Sequence, residues 1–265
     1  MPRVAGSPVS RRFAFLDAPG PLAFAHRGGA ADGDENTAAA FQRAVTLGFR
    51  YVETDVHVTS DGVPVVFHDV TLARVAGRPD RIDALSWADL ATVRVGGAAA
   101  VPRLDEVLAA WPSIRFNIDV KSDAGPAPVV TAVRDAGATE RVLLASFSDA
   151  RLARIRALAG PSIATALGVH SVARLRLASL AGLPVRFPAS VAAAQVPVRH
   201  GRLRVVDRRF LATARRAGLQ VHVWTIDDPV EMNRLLDLGV DGIMTDRTDV
   251  LRDVYAARGL WPPAR

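Results

Sequence analysis

Cysteine is absent from the 265-residue sequence, which excludes disulfides, thiolate metal sites and cysteine nucleophiles. The first twenty residues contain no apolar run long enough for the core of a signal peptide. No charge-free apolar stretch elsewhere reaches the length that crosses a membrane. We therefore expect a cytoplasmic protein without an integral membrane segment.

Lysine is almost absent, since Lys121 is the only one in the chain. Lysine and arginine together number 33 against 27 aspartates and glutamates, which gives a net charge of +6. The arginines are spread along the chain between acidic residues, whereas a nucleic-acid-binding protein concentrates its basic residues in one patch. The charge pattern therefore predicts no nucleic-acid partner. It also singles out Lys121, because its compact ammonium is not chemically interchangeable with a guanidinium.

Short β-rich segments alternate with helical segments, which is typical of an α/β fold with a parallel sheet. Eight strands are predicted: Leu22–Arg27, Arg50–Val56, Arg115–Val120, Val142–Ser146, Ile163–Leu167, Val191–Val196, Leu219–Thr225 and Gly242–Thr245. The sixth is the weakest of these, because Val185–Phe187 competes with it. Eight strands with helices between them predict a TIM-type (β/α)8 barrel, a fold whose active sites lie at the C-terminal ends of the strands.

The chain shows no low-complexity tract or long linker that would divide it. We expect one barrel domain over residues 21–258. An N-terminal extension (residues 1–20) and a C-terminal tail (residues 259–265) are expected to flank it.

A rim β-hairpin is predicted directly after strand two, where residues 54–69 read TDVHVTSDGVPVVFHD. Asp61–Gly62 is a strong signal for a two-residue turn between β-rich segments. Counting outward from that turn, Asp55 faces His68. Pro64 donates no ladder hydrogen bond and therefore fits an edge strand.

Acidic residues recur at the strand period in two neighbouring barrel strands. Glu53 and Asp55 share one face of strand two, and Asp119 and Lys121 follow at the same period in strand three. Carboxylates this close require a cation or a shared proton, and oxygen ligands favour Mg²⁺, Ca²⁺ or Mn²⁺. The alternatives are an outward, solvated carboxylate pair and a buried Asp119–Lys121 salt bridge.

Two histidines and an arginine join this end of the predicted barrel. His26 and Arg27 end strand one in the segment FAHRGG, and His68 arrives through the hairpin. Histidine suits general acid or base catalysis near neutral pH, and arginine suits bidentate binding of phosphate. This combination around a cation suits in-line displacement at phosphorus.

A series of short motifs resembles the glycerophosphodiester phosphodiesterase family. They are HRG at 26–28, ENT at 35–37, E-x-D-V at 53–56, DG-x-x-V at 61–65, HD-x-x-L-x-R at 68–74, P-x-L-x-E-V-L at 102–108, NIDVK at 117–121, SF at 146–147, WT at 224–225 and GVDGIMTD at 239–246. Each motif alone is weak, but the ordered set spans most of the chain and is highly specific.

The resemblance implies a TIM-type barrel that hydrolyses glycerophosphodiesters to sn-glycerol 3-phosphate and an alcohol, with a small-molecule substrate and one divalent cation, Mg²⁺, Ca²⁺ or Mn²⁺. The resemblance implies that His26 and His68 act as an acid/base pair and that Glu53, Asp55 and Asp119 bind the metal. It also implies that Arg27 and Lys121 contact the phosphate and that Trp224 forms a wall of the glycerol or head-group pocket. The chain departs from the family pattern at Asp119, where glutamate is commoner, and this leaves the identity of the metal open.

Two other functions stay open at this point. One is a phosphodiesterase of the same superfold that cuts lysophospholipids or sphingolipids, which an exposed apolar rim at the barrel mouth would favour. The other is a non-catalytic ligand-binding barrel, which would be expected to lack the acid/base pair. The sequence does not determine the head group, the physiological metal, the oligomeric state, or whether water or a substrate hydroxyl attacks the phosphorus.

Overall fold

The structure is a computed structural model that describes residues 12–261. Its strands are β1 Leu22–Ala25, β2 Tyr51–Val58, β3 Pro64–Val66, β4 Arg94–Val95, β5 Ala99–Ala100, β6 Arg115–Val120, β7 Val142–Ala145, β8 Ala164–Ala166, β9 Val191–Pro197, β10 Arg199–His200, β11 Leu203–Arg204, β12 Gln220–Trp224 and β13 Gly242–Thr245. Its α-helices are α1 Ala38–Thr46, α2 Ala73–Ala76, α3 Trp87–Leu90, α4 Leu104–Ala110, α5 Pro126–Asp135, α6 Asp149–Ala159, α7 Val169–Ala181, α8 Arg208–Arg216, α9 Pro229–Leu238 and α10 Thr248–Ala257.

Eight parallel strands form a closed barrel. Their order is β1, β13, β12, β9, β8, β7, β6 and β2, and β1 pairs with both β13 and β2 to close the ring. The predicted TIM-type barrel is therefore confirmed. The sixth barrel strand is β9, as predicted, and residues 185–187 form no strand.

The helices begin and end at the expected kinds of residue. Thr37 caps α1 by accepting a hydrogen bond from the Ala40 amide at 3.2 Å. Gly48 and Gly239 follow α1 and α9 with φ of 98° and 92°, a conformation that glycine adopts without steric cost. No helix among residues 12–261 is long and apolar enough to cross a membrane.

The predicted hairpin exists, but its turn is longer than expected. Strand β3 pairs with β2 in antiparallel fashion, with Val58 opposite Pro64. The Thr59 amide donates to the Val63 carbonyl at 3.1 Å, so three residues (60–62) form the loop. Gly62 takes a φ of 85° there, as the last position of a three-residue hairpin loop commonly requires.

The longer loop shifts the hairpin register by one residue. Asp55 lies opposite Phe67, whose amide donates to the Asp55 carbonyl at 2.9 Å. The predicted pairing of Asp55 with His68 is therefore wrong. His68 follows the hairpin strand, outside the ladder, and its side chain still lines the same cavity as Asp55.

A rim insertion (residues 59–103) connects this hairpin to α4. It carries its own small apolar cluster, which contains Val65, Phe67, Leu72, Ile82, Leu90, Val93, Val95 and Val101. This cluster is separate from the main core between barrel and helices, so the insertion holds its shape through its own packing.

Both ends of the described segment, residues 12–261, pack onto the barrel. Phe15 is buried in the barrel's lower core, and its ring meets that of Tyr51 edge-on at 5.4 Å. At the other end Trp261 packs on Phe49, with ring centroids 4.9 Å apart. The predicted extension and tail are described only from residue 12 and up to residue 261, and the expected domain boundaries stay predictions.

Candidate active site

One cavity of about 700 Å³ opens at the C-terminal ends of the barrel strands. All eight residues singled out in the sequence line it: His26, Arg27, Glu53, Asp55, His68, Asp119, Lys121 and Trp224. Parallel pairing places Asp55 of β2 opposite Asp119 of β6, which brings their carboxylates to the same level. The barrel thus gathers the predicted set, and the role of each member stays a prediction.

Lys121 lies between two of the carboxylates. Its Nζ is 2.8 Å from Oδ1 of Asp55 and 2.7 Å from Oδ2 of Asp119. These carboxylates raise the pKa of the Lys121 ammonium although burial acts in the opposite direction, so the group stays charged. The salt bridge that was the alternative interpretation is therefore present, and it sits inside the site.

The carboxylates are not fully compensated by this one lysine. Burial, together with the charge of Asp55, raises the pKa of Glu53 to about 7. Burial also raises the pKa of Asp119, whose Oδ1 has no hydrogen-bond partner among residues 12–261. Buried like charges favour protonation unless a further cation joins them. The charge of the site is therefore compatible with another positive group beside the carboxylates.

Asp55 is held by donors from three directions. Its Oδ2 accepts from Asn36 Nδ2 at 2.9 Å and lies 3.3 Å from Arg27 Nε, while Lys121 contacts its other oxygen. Burial would raise the pKa of Asp55, but the neighbouring positive charges hold it below its usual range. Asn36 adopts a left-handed φ of 59° and also accepts from the Thr54 hydroxyl at 2.8 Å, which fixes its amide.

Each of the two histidines is oriented by an aspartate. The Nδ1 atom of His26 is 2.7 Å from Oδ1 of Asp246, and the Nδ1 atom of His68 is 2.6 Å from Oδ1 of Asp69. The second nitrogen of the His26 ring, Nε2, lies 3.7 Å from Oε2 of Glu53. Burial lowers the pKa of His26, but the charges of Glu53 and Asp246 outweigh it and raise the value.

An arginine from the rim insertion ties the second histidine to the barrel. Arg74 donates to Asp69 at 2.7 Å and, through both terminal nitrogens, to Glu35 at 2.7 Å. Glu35 also accepts from Arg27 at 2.9 Å. The insertion is thereby fastened to the loop after β1 through charge-assisted hydrogen bonds.

Among residues 12–261, no group of three or more His, Cys, Asp or Glu side chains is arranged so that it could hold a metal ion. The Lys121 ammonium contacts one oxygen each of Asp55 and Asp119. The donor chemistry nevertheless fits a hard divalent cation, since Glu53 and the unpaired Oδ1 of Asp119 supply carboxylate oxygens, the donors that such cations prefer.

The comparisons with known proteins agree with this geometry. The family model for the glycerophosphoryl diester phosphodiesterase family matches residues 26–250. A probable glycerophosphodiester phosphodiesterase 2 of Mycobacterium tuberculosis is 39% identical over 94% of this chain and 96% of its own length. The chain belongs to the glycerophosphoryl diester phosphodiesterase family.

Solved structures give the same assignment. A glycerophosphodiester phosphodiesterase of Agrobacterium tumefaciens is 26% identical, has a TM-score of 0.73 and is matched over 89% of this chain and 99% of its own. An Oleispira antarctica phosphodiesterase in complex with the product sn-glycerol-3-phosphate has the same fold, with a TM-score of 0.74, 23% identity and coverage of 89% and 97%. The expectation of a glycerophosphodiester phosphodiesterase enzyme is thus confirmed.

Sequence reasoning missed three residues of this phosphodiesterase's site. Asp246 contacts His26, Asp69 contacts His68 and Asn36 donates to Asp55. The adjacency of His68 and Asp69 in the sequence was the one available signal. His222 is fully buried and lies between Gln195 and Gln220.

We expect metal-free enzyme to lose stability as pH rises because of Glu53. A carboxyl whose folded pKa is raised from 4.5 to about 7 stabilises the fold below pH 4.5, and this contribution is lost as pH rises through 7. Between pH 5 and pH 8 the loss amounts to about 2 kcal/mol. Urea unfolding in EDTA should therefore show a steeper decline for the wild type than for Glu53→Gln. Parallel declines would contradict the raised pKa.

Proposed function

We propose that this phosphodiesterase hydrolyses glycerophosphodiesters to sn-glycerol 3-phosphate and an alcohol, with a divalent cation and two histidines. The observation that carries the proposal is the cavity in which two aspartate-oriented histidines, His26 and His68, face a cluster of buried carboxylates. The product bound by the Oleispira antarctica phosphodiesterase supports the same product here.

Glu53, Asp55 and Asp119 are the proposed ligands of the cation. The unpaired Oδ1 of Asp119 supports this, since it is a buried carboxylate oxygen without a hydrogen-bond partner among residues 12–261. Burial and the charge of Asp55 raise the pKa of Glu53, so a cation bound there would favour its ionised form. When bound, a divalent cation supplies charge neutralisation and polarises a phosphoryl oxygen. The Lys121 ammonium would stay beside Asp55 and Asp119 and face the phosphate from there.

Arg27 and Lys121 are the proposed phosphate contacts. Both line the cavity next to the carboxylates, and both side chains are largely buried. Their charges hold the phosphate oxygens and stabilise the charge that builds up on them in the transition state. Trp224, at the end of β12, forms the wall against which the organic part of the substrate packs.

His26 and His68 move the protons. One imidazole accepts a proton from the attacking oxygen, and the other donates a proton to the leaving alcohol as its bond to phosphorus breaks. The hydrogen bonds that Nδ1 of each ring donates to Asp246 or Asp69 orient the imidazole, so that Nε2 carries out the transfer. The attacking oxygen belongs to water or to the glycerol hydroxyl of the substrate.

Metal removal tests the proposal directly. After exhaustive dialysis against EDTA we expect turnover of glycerophosphocholine to cease, and one of Mg²⁺, Mn²⁺ or Ca²⁺ to restore it. Release of glycerol 3-phosphate measures the activity, and elemental analysis verifies the removal. Full turnover in protein with negligible metal content would refute metal dependence.

Removal of either imidazole should lower kcat by roughly 10²–10⁴-fold, the usual contribution of a positioned acid or base. The variants are His26→Ala and His68→Ala, with His170→Ala as the matched control, because the His170 side chain is 93% exposed and lies outside the cavity. Each variant should also lose one limb of a bell-shaped pH profile. A retained bell shape with near-normal kcat would assign the proton transfers to other groups.

Lys121 tests whether the site requires a compact ammonium. Lys121→Arg should fold normally and lose about tenfold in kcat/KM, or roughly 1.4 kcal/mol, because a planar guanidinium does not fit between Asp55 and Asp119. Lys121→Met should lose more. If Lys121 served only as a salt bridge, both variants would show a lower melting temperature with kcat/KM nearly intact, and steady-state kinetics with thermal melts separates the outcomes.

A further inference from the structure

A second cavity, of about 470 Å³, lies at the opposite end of the barrel from the carboxylates. Its walls include the N-terminal ends of β2, β6 and β7 with the loops that lead into them, and three arginines line it: Arg50, Arg115 and Arg141. The residues that line it and those that line the catalytic cavity form two sets without a common member. The two cavities are therefore separate, although β2 and β6 contribute to both.

Backbone pairing between the strands brings these three arginines together. The Arg115 amide donates to the Arg50 carbonyl at 2.9 Å, and the Phe116 amide donates to the Arg141 carbonyl at 2.9 Å. The arginines thus lie at the same level of three neighbouring strands, whose spacing is about 4.8 Å. Guanidinium groups that share one small cavity repel one another, and an anion between them relieves this repulsion.

Neutral groups are the partners that these guanidinium groups have in the described part of the chain. Arg115 donates to the Tyr51 hydroxyl at 3.1 Å and lies over the Tyr51 ring, 5.4 Å from its centroid. Arg141 donates to three backbone carbonyls at and after the end of α4, the nearest being that of Leu108 at 2.7 Å. By contrast, Arg43 and Arg74 each contact a carboxylate at 2.7 Å.

A counter-charge for the three arginines is missing within residues 12–261. Burial lowers the pKa of the Arg141 guanidinium below its ordinary value, and no carboxylate acts against that effect there. The remaining stretches, 1–11 and 262–265, contain no aspartate or glutamate. An anionic ligand would therefore supply a charge that the side chains of this protein do not.

Two further polar side chains, Ser113 and Glu140, narrow the chemistry of that ligand. Three guanidinium groups and one carboxylate leave an excess of two positive charges, which matches the dianion of a phosphate monoester. A carboxylate repels phosphate but accepts hydrogen bonds from hydroxyl groups. The lining therefore fits a ligand with a phosphate at one end and hydroxyl groups at the other.

We propose that this cavity binds a small polyol phosphate, a phosphate monoester that carries free hydroxyl groups, at a site separate from the catalytic one. Arg50 and Arg115 hold the phosphate through charge-assisted hydrogen bonds, and Arg141 adds its charge from the wall. Glu140 accepts from the hydroxyl groups. A concave volume of about 470 Å³ suits a small molecule, whereas a nucleic acid requires an extended basic surface.

Calorimetric titration of the full chain in EDTA tests the proposal, with sn-glycerol 3-phosphate and inorganic phosphate as probes. Arg50→Gln and Arg115→Gln should each weaken one binding event by about tenfold or more, as loss of a hydrogen bond to a charged group predicts. The control is Arg134→Gln, because Arg134 is an exposed arginine of α5 outside the cavity that donates to the Leu158 carbonyl. Its affinity should equal that of the wild type.

The two arginine variants keep the test independent of folding. Arg50 is exposed and Arg115 is half-buried, whereas Arg141 also caps α4 and is left unchanged. Thermal melts without ligand verify that each variant is folded. Unchanged affinity for both probes in both folded variants would overturn the proposal.

Glu140 tests the preference for a hydroxylated ligand. Glu140→Ala should bind inorganic phosphate about two- to fivefold more tightly, because an exposed repulsive charge is removed. The same variant should lose the preference for sn-glycerol 3-phosphate over inorganic phosphate. If the wild type showed no such preference, or if Glu140→Ala retained it, the assignment to a polyol phosphate would be wrong.

The position of the bound anion is tested by crystals soaked in tungstate, a heavy-atom analogue of phosphate. We expect an anomalous peak beside Arg115 in the wild type and none there in Arg115→Gln. A peak confined to the Lys121 end of the barrel would overturn the second site. Loss of binding to anionic vesicles or to DNA in the variants, with binding of both small probes intact, would make the arginines part of a macromolecular surface and would equally overturn it.

Discussion

Three carboxylates buried at one end of a barrel create an electrostatic problem that the rest of the site is arranged around. Glu53, Asp55 and Asp119 lie on neighbouring parallel strands, whose side-by-side pairing leaves them little room to separate. Lys121 offsets part of the charge through two short contacts. Burial, together with the charge of Asp55, raises the pKa of Glu53 and of Asp119. A divalent cation or a shared proton relieves the repulsion between carboxylates buried this close together.

Closure of the barrel is the second constraint on which the site depends. His26 follows the first strand and Asp246 follows the last, and they meet because β1 and β13 are hydrogen-bonded neighbours. Their separation of 220 residues in sequence thus becomes a distance of 2.7 Å. The other histidine is oriented locally, by Asp69, and is anchored through Arg74 to Glu35. The two rings are therefore oriented by different aspartates, while Glu35 links Arg74 to Arg27, the neighbour of His26.

The barrel could be predicted from the sequence because its strands are short apolar runs at a regular spacing, and β6 and β13 match the predicted bounds. The eight site residues could be named because strand periodicity and family motifs agree on them. The hairpin register could not be derived, since a two-residue and a three-residue loop both accept Asp61 and Gly62. Asp246 was missed because its partner His26 is a neighbour only after the barrel closes.

The apolar rim was also beyond reach of the sequence, for a related reason. In the hairpin, Val65 and Val66 are buried and contribute no rim. The exposed rim comes from α7, where Leu177 and Leu180 lie on a stripe that looks from the sequence like any face that packs on a barrel. Only the position of the helix beside the open end turns that stripe toward the cavity. The polar end of the site follows from residue chemistry, whereas the apolar end follows from how the helices are placed around the strands.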